Sequence, residues 1–60
     1  MDKFELKKQL IKISETLNNI SGELMSKSAN TEEVGIIRSE IISKMSTLDE
    51  IIREKIYNIY

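Results

Sequence analysis

Paired carboxylates are the residues of this chain whose type and spacing come nearest to chemistry. They occur as Glu32–Glu33 and Asp49–Glu50. Adjacent residues on a helix point about 100° apart, so neither pair converges on one proton or one metal ion. The chain contains no Cys and no His, which removes thiolate nucleophiles and the usual zinc and haem ligands. We therefore expect no enzymatic activity, no catalytic residues, and no bound metal or cofactor.

A cluster of lysines near the N-terminus could contact an anionic partner. Cations in the first turns of a helix oppose its dipole, at a cost of roughly 0.3–1 kcal/mol each. The favoured interpretation is a salt-bridged surface with acidic residues near the C-terminus, and the alternative is contact with RNA, DNA or an acidic protein. The net charge of −1 gives little attraction to nucleic acid. The basic residues are Lys3, Lys7, Lys8 and Lys12, and the acidic ones are Asp49, Glu50 and Glu54.

All three aromatic residues should meet at one end of the fold. Phe4 lies near the N-terminus, and Tyr57 and Tyr60 lie at the C-terminus. The favoured interpretation is an aromatic plug that closes this end. The alternative is an exposed anchor for another protein, because tyrosine is favoured at interfaces.

The elements that position these residues are two helices. The apolar residues of the first half follow a regular heptad alternation, and those of the second half follow nearly the 3.6-residue period of a straight helix. We predict helices at about residues 3–27 and 31–58, joined by a loop at 28–30. Asp2 with Glu5, and Asn30 with Glu33, have the spacing of helix-capping boxes. The stripes are Leu6, Leu10, Ile13, Leu17, Ile20 and Leu24, then Val34, Ile37, Ile41, Met45, Leu48, Ile52, Ile56 and Ile59.

A short loop between two long helices predicts an antiparallel hairpin. If the turn centres near Ala29, Leu17 lies opposite Ile41 and Ile13 lies opposite Met45. Gly22 and Gly35 then lie at the same level. They could allow a close backbone approach or form a slot for a partner, or Gly22 could end the first helix. Continuous helices are favoured because the apolar stripe continues beyond Gly22.

Both apolar stripes are wider than a two-helix contact, and a 60-residue chain is marginally stable alone. Oligomerisation is the remaining way to stabilise it. We therefore predict an all-α helical hairpin that dimerises into a four-helix bundle. The predicted interface comprises Leu6, Leu10, Ile13, Leu17, Ile20, Leu24, Ile37, Ile41, Met45, Leu48, Ile52 and Ile56.

The run Met45–Ile52 resembles the second helix of the small hairpin phosphatases that act on sporulation response regulators. In that family a Ser stands four residues before the Asp. Here Met45 occupies that position and Ser46 stands three residues before Asp49. The resemblance covers about eight residues, and no activity is carried over from it.

The expected function is that of a small, non-enzymatic protein–protein interaction module, acting as a regulator, adaptor or assembly factor. One alternative is a nucleic-acid-binding bundle that uses the lysines of the first helix. Another is a co-chaperone-like subunit that folds in a heterocomplex. No apolar run approaches the ~18 residues of a membrane span, and no signal peptide is evident, so the expected location is the cytoplasm.

Overall fold

The computed structural model describes all 60 residues, and it contains two α-helices joined by a short loop. Helix α1 spans Lys3–Ser26 and helix α2 spans Glu32–Tyr57. They pack side by side in an elongated body of 45 × 15 × 15 Å. Arg38 of α2 contacts Leu24 of α1, and Asp49, later in α2, contacts Ser14, earlier in α1. The helices are therefore antiparallel. The predicted all-α hairpin is confirmed, and each helix boundary lies within one residue of its predicted position.

Both helices begin at a polar capping residue. The Asp2 carboxylate accepts a 2.8 Å hydrogen bond from the backbone N–H of Glu5. The hydroxyl of Thr31 accepts a 3.2 Å bond from the backbone N–H of Val34. The prediction for Asp2 is therefore confirmed, whereas the choice of Asn30 as the cap of α2 was wrong by one residue.

Neither glycine interrupts a helix. Helix α1 continues through Gly22 to Ser26, so Gly22 does not end it. A Cβ atom added at Gly22 would meet nothing within 4 Å, and one at Gly35 would lie 3.6 Å from the Cβ of Ala29, an ordinary contact. The chain thus makes no close backbone approach that requires glycine at either position.

Arg38, which belongs to α2, caps the C-terminal end of α1. Its guanidinium donates hydrogen bonds to the backbone carbonyls of Leu24, at 3.4 Å, and of Lys27. The last turn of α1 contains no basic residue of its own. Carbonyl groups at a helix end lack intrahelical partners, so Arg38 supplies both hydrogen bonds and positive charge where the dipole favours a cation.

The two helices meet along a seam that is partly polar. Ser14, at 7% exposure, and Ile52, at 8%, are the only buried residues. The half-buried residues beside them continue a three–four alternation along both helices. The seam consists of Lys7, Leu10, Ser14, Leu17, Ser21 and Leu24 on α1, of Gly35, Arg38, Ile42, Met45, Asp49, Ile52 and Ile56 on α2, and of Ile59 just beyond the end of α2.

The predicted pairing of the helices was wrong. It placed Ile13 opposite Met45, but the structure places Ser14 against Asp49 and Ser21 against Met45. The helices are therefore offset by several residues from the predicted register. They are also rotated, so that the seam lies along one edge of each apolar stripe instead of its centre.

Neither helix carries the long apolar stretch that a membrane-spanning helix requires.

Candidate interaction surfaces

An apolar surface on one side of the hairpin has no partner within the chain. Its side chains are between 40% and 49% exposed. Residues seven apart lie on one line along a helix in a heptad seam, and most of these side chains follow that spacing. We call this surface the open face; it consists of Leu6, Ile13 and Ile20 on α1, and Val34, Ile37, Ile41, Leu48 and Ile51 on α2.

The contributions of α1 and α2 to the open face lie on the same side of the hairpin. Ile13 precedes the seam residue Leu17 by four positions, and Ile41 precedes the seam residue Met45 by four. Both are therefore displaced from the seam in the same rotational sense about their own helix. Because the helices are antiparallel, the same rotation on each helix leads to the same side of the pair. The open face is thus one continuous surface.

The twelve residues of the predicted interface divide between the seam and the open face. Ile52 is buried in the seam, and five others are half-buried there. The remaining six lie on the open face, each at least 40% exposed. The half-buried five are Leu10, Leu17, Leu24, Met45 and Ile56. The exposed six are Leu6, Ile13, Ile20, Ile37, Ile41 and Leu48.

A hydrogen-bonded polar cluster crosses the seam. The Ser14 hydroxyl donates a 2.6 Å hydrogen bond to Asp49 Oδ1, and Arg53 Nε donates a 2.8 Å bond to Asp49 Oδ2. The Asp49 side chain is only 15% exposed. The pKa of Asp49 is lowered, and the hydrogen bond from Ser14 is the largest cause. Desolvation raises the pKa in opposition, whereas the hydrogen bond and the charge of Arg53 lower it further. The charged carboxylate is therefore favoured at neutral pH.

Sequence reasoning missed this cluster because it treated only apolar positions as contacts. A usable signal was present, since Ser14 and Ser21 continue the heptad spacing of Leu10, Leu17 and Leu24. Both serines lie against α2 in the structure, where Ser21 Oγ is 3.9 Å from the sulfur of Met45. Small polar residues at seam positions let the two helices pack while their hydroxyls find partners.

The expected salt-bridged surface does not form within the chain. The single ion pair joins Arg53 to Asp49 on α2, at 2.8 Å. None of the four lysines near the N-terminus has a carboxylate oxygen within 4.0 Å of its nitrogen. Lys7 is half-buried at the seam, and Lys3, Lys8 and Lys12 are exposed. Their positive charges are available to another molecule.

The expected aromatic plug does not form either. Phe4 is 77% exposed, Tyr57 84% and Tyr60 98%. Tyr57 lines an open depression with Ile56 and Ile11 on the side of the hairpin opposite the open face. Phe4 and Tyr60 line a separate groove at the open end, where the chain termini meet.

Titratable groups in the chain do not gather into a metal-binding set, since no group of three or more carboxylates comes together. The geometry offers two surfaces for contact with other molecules, which are the open face and the groove at the open end. Comparisons with protein-family models, curated proteins and solved structures find no match for this chain.

Proposed function

We propose that this chain is a non-enzymatic protein–protein interaction module that works through its open face and dimerises with a second copy into a four-helix bundle. The observation that carries the proposal is the continuous line of half-exposed Ile, Leu and Val side chains. Exposed contiguous apolar surface of this kind is characteristic of interaction sites.

The surface area of the chain supports a partner of substantial size. The accessible surface is 5077 Å². A compact monomer of 7.0 kDa would expose about 4,000 Å². The excess is roughly 1,000 Å², which exceeds the ~800 Å² that each partner of a standard interface buries. Burying an interface of standard size would therefore bring the exposed surface of the chain close to that of a compact protein of its mass.

A second copy is the favoured partner because the open face can pack against itself. Its side chains are all aliphatic, and twofold dimers are the commonest closed assemblies of soluble proteins. Two hairpins joined this way place the apolar edges of four helices around one core. The net charge of −1 per chain imposes little repulsion on such a pair.

The distribution of charge favours dimers whose loops lie at opposite ends. The half near the termini, residues 1–14 and 45–60, contains six basic and five acidic residues, whereas the loop half, 15–44, contains three basic and five acidic residues. An antiparallel dimer places the acidic half of one copy on the basic half of the other. The chain lacks Cys, so Ser28→Cys places a single thiol in the loop and tests whether the two loops of a dimer lie at opposite ends. Disulfide-linked dimers formed efficiently through the two loops would refute the arrangement.

Sedimentation of the purified chain at several concentrations tests the proposed function. We expect a particle of twice the 7.0 kDa chain mass that dissociates on dilution. The double variant Ile13→Lys/Ile41→Lys should sediment as a single chain at the same concentrations. A fully helical wild-type monomer at every concentration would contradict self-association, and an unfolded monomer would support a subunit that folds only in a heterocomplex.

A further inference from the structure

A small groove at the open end of the hairpin combines apolar walls with positive charge. Its volume is about 230 Å³, and it is lined by Phe4, Lys7, Lys8, Ile11, Ile59 and Tyr60. This volume is below the ~300 Å³ at which pockets for small molecules begin. The groove therefore suits one or two side chains of a peptide better than a whole metabolite. We call it the end groove.

The two lysines of the end groove lack a partner in the chain. No carboxylate oxygen lies within 4.0 Å of Lys7 or Lys8, and neither ammonium group donates a hydrogen bond to a side chain or carbonyl. Both residues lie in the second turn of α1, beyond the first turn in which the helix dipole acts most strongly. Their two adjacent positive charges, unpaired within the chain, can therefore attract an external anion.

The aromatic side chains that line the end groove are largely exposed to solvent. Phe4 is 77% exposed and Tyr60 is 98% exposed. Burying an aromatic side chain of this kind removes ~150–250 Å² from water. An occupant that places an apolar side chain between Phe4 and Tyr60 would therefore gain affinity from the rings and from the flanking lysines together.

The end groove remains accessible when the open face is covered. Ile11 follows the seam residue Lys7 by four positions, whereas Ile13 precedes the seam residue Leu17 by four. These opposite displacements place Ile11 and Ile13 on opposite sides of the hairpin, and their side chains point about 160° apart at 100° per residue. A dimer formed through Ile13 would leave the groove exposed on its outer side.

We propose that the end groove binds an acidic peptide segment of another protein that carries a large apolar side chain. Carboxylates of the segment pair with Lys7 and Lys8, and its apolar side chain lies against Phe4, Ile59 and Tyr60. Only two lysines line the groove, and nucleic acid binding usually requires cations that contact several phosphates. The apolar walls and the two charges fit a peptide of mixed character.

Titration of the full chain with a blocked hexapeptide tests the proposal. The peptide carries Leu–Phe at its centre and two Glu on each side, and amide NMR shifts report binding at low salt. We expect saturable shifts confined to the first turns of α1 and the last turn of α2. Lys7→Gln/Lys8→Gln should weaken binding about fivefold or more, as should Phe4→Ala. Peptides with Lys in place of Glu, or Ser–Ser in place of Leu–Phe, should bind poorly.

A matched variant controls for the general loss of charge. Lys3→Gln/Lys12→Gln removes two charges from the same helix without touching the groove lining, and it should change affinity less than about twofold. Equal weakening by both double variants would overturn the proposal, because it would indicate diffuse attraction. So would the absence of shifts up to millimolar peptide. Binding of phosphatidylserine vesicles or of an RNA duplex in preference to the peptide would also overturn it.

Discussion

Ile13→Ala should weaken the dimer by an amount that follows from its exposure. Ile13 is 46% exposed in the hairpin. Complete burial of an aliphatic side chain contributes ~1.5–3 kcal/mol, so covering the exposed half contributes about half of that in each copy. A twofold dimer contains the side chain twice, and the loss is therefore about 1.5–3 kcal/mol. This corresponds to a dissociation constant roughly tenfold to a hundredfold higher.

Ile11→Ala is the matched control for this measurement. Ile11 lies on the same helix, is of the same type and has a similar exposure of 40%, but it points to the opposite side of the hairpin. Sedimentation equilibrium should give a dissociation constant within about twofold of wild type for Ile11→Ala. Equal weakening by the two variants, or none by Ile13→Ala, would refute the assignment of the open face as the dimer interface.

Three further predictions concern the hairpin itself. Because the pKa of Asp49 is lowered, its charged form stabilises the fold above its ordinary pKa, and this contribution is lost as pH falls through the folded-state value. The difference in Tm between wild type and Asp49→Asn should therefore shrink below about pH 4. Arg38→Met should lower the free energy of unfolding by about 1 kcal/mol in urea titration; an unchanged value would show that its bonds to Leu24 and Lys27 do not stabilise α1. Gly22→Ala should raise that free energy by about 0.5–1 kcal/mol, and a decrease would reveal a close contact at this position.

The ends of the helices could be predicted almost completely from local sequence. Asp2 and the polar stretch before α2 mark where each helix begins, and the absence of proline leaves both helices continuous. The one-residue error at Asn30 has a simple cause. Asn and Thr both cap helices well, and a sequence alone cannot show which of two adjacent residues has the extended backbone that Thr31 adopts.

The rotation of each helix about its axis could not be predicted in the same way. The prediction placed the stripe residues of the two helices directly opposite one another, with Leu17 facing Ile41. The structure instead centres the seam nearer Ser14 and Asp49, so that aliphatic residues beside the seam remain exposed. A hairpin with its stripes fully turned inward would still have left their edges uncovered, because two helices cannot enclose a stripe this wide. The hydrogen bond between Ser14 and Asp49 fits this rotation, and the edge that carries Ile13 and Ile41 is the one we assign to the dimer.

The absence of ion pairs at the lysines of α1 is also explained by the position of Asp49 in the seam. Of the three acidic residues expected to pair with them, Asp49 is drawn into the seam by Ser14 and Arg53. Glu50 and Glu54 are exposed on α2 and form no ion pair. Adjacent positions on a helix diverge by about 100°, so placing Asp49 in the seam necessarily turns Glu50 away from α1. The partly buried hydrogen bond from Ser14 thus holds Asp49 in the seam, away from the lysines of α1. Lys7 and Lys8 therefore have no acidic partner within the chain, and a ligand that pairs with them does not compete with the hydrogen bonds of Asp49 to Ser14 and Arg53.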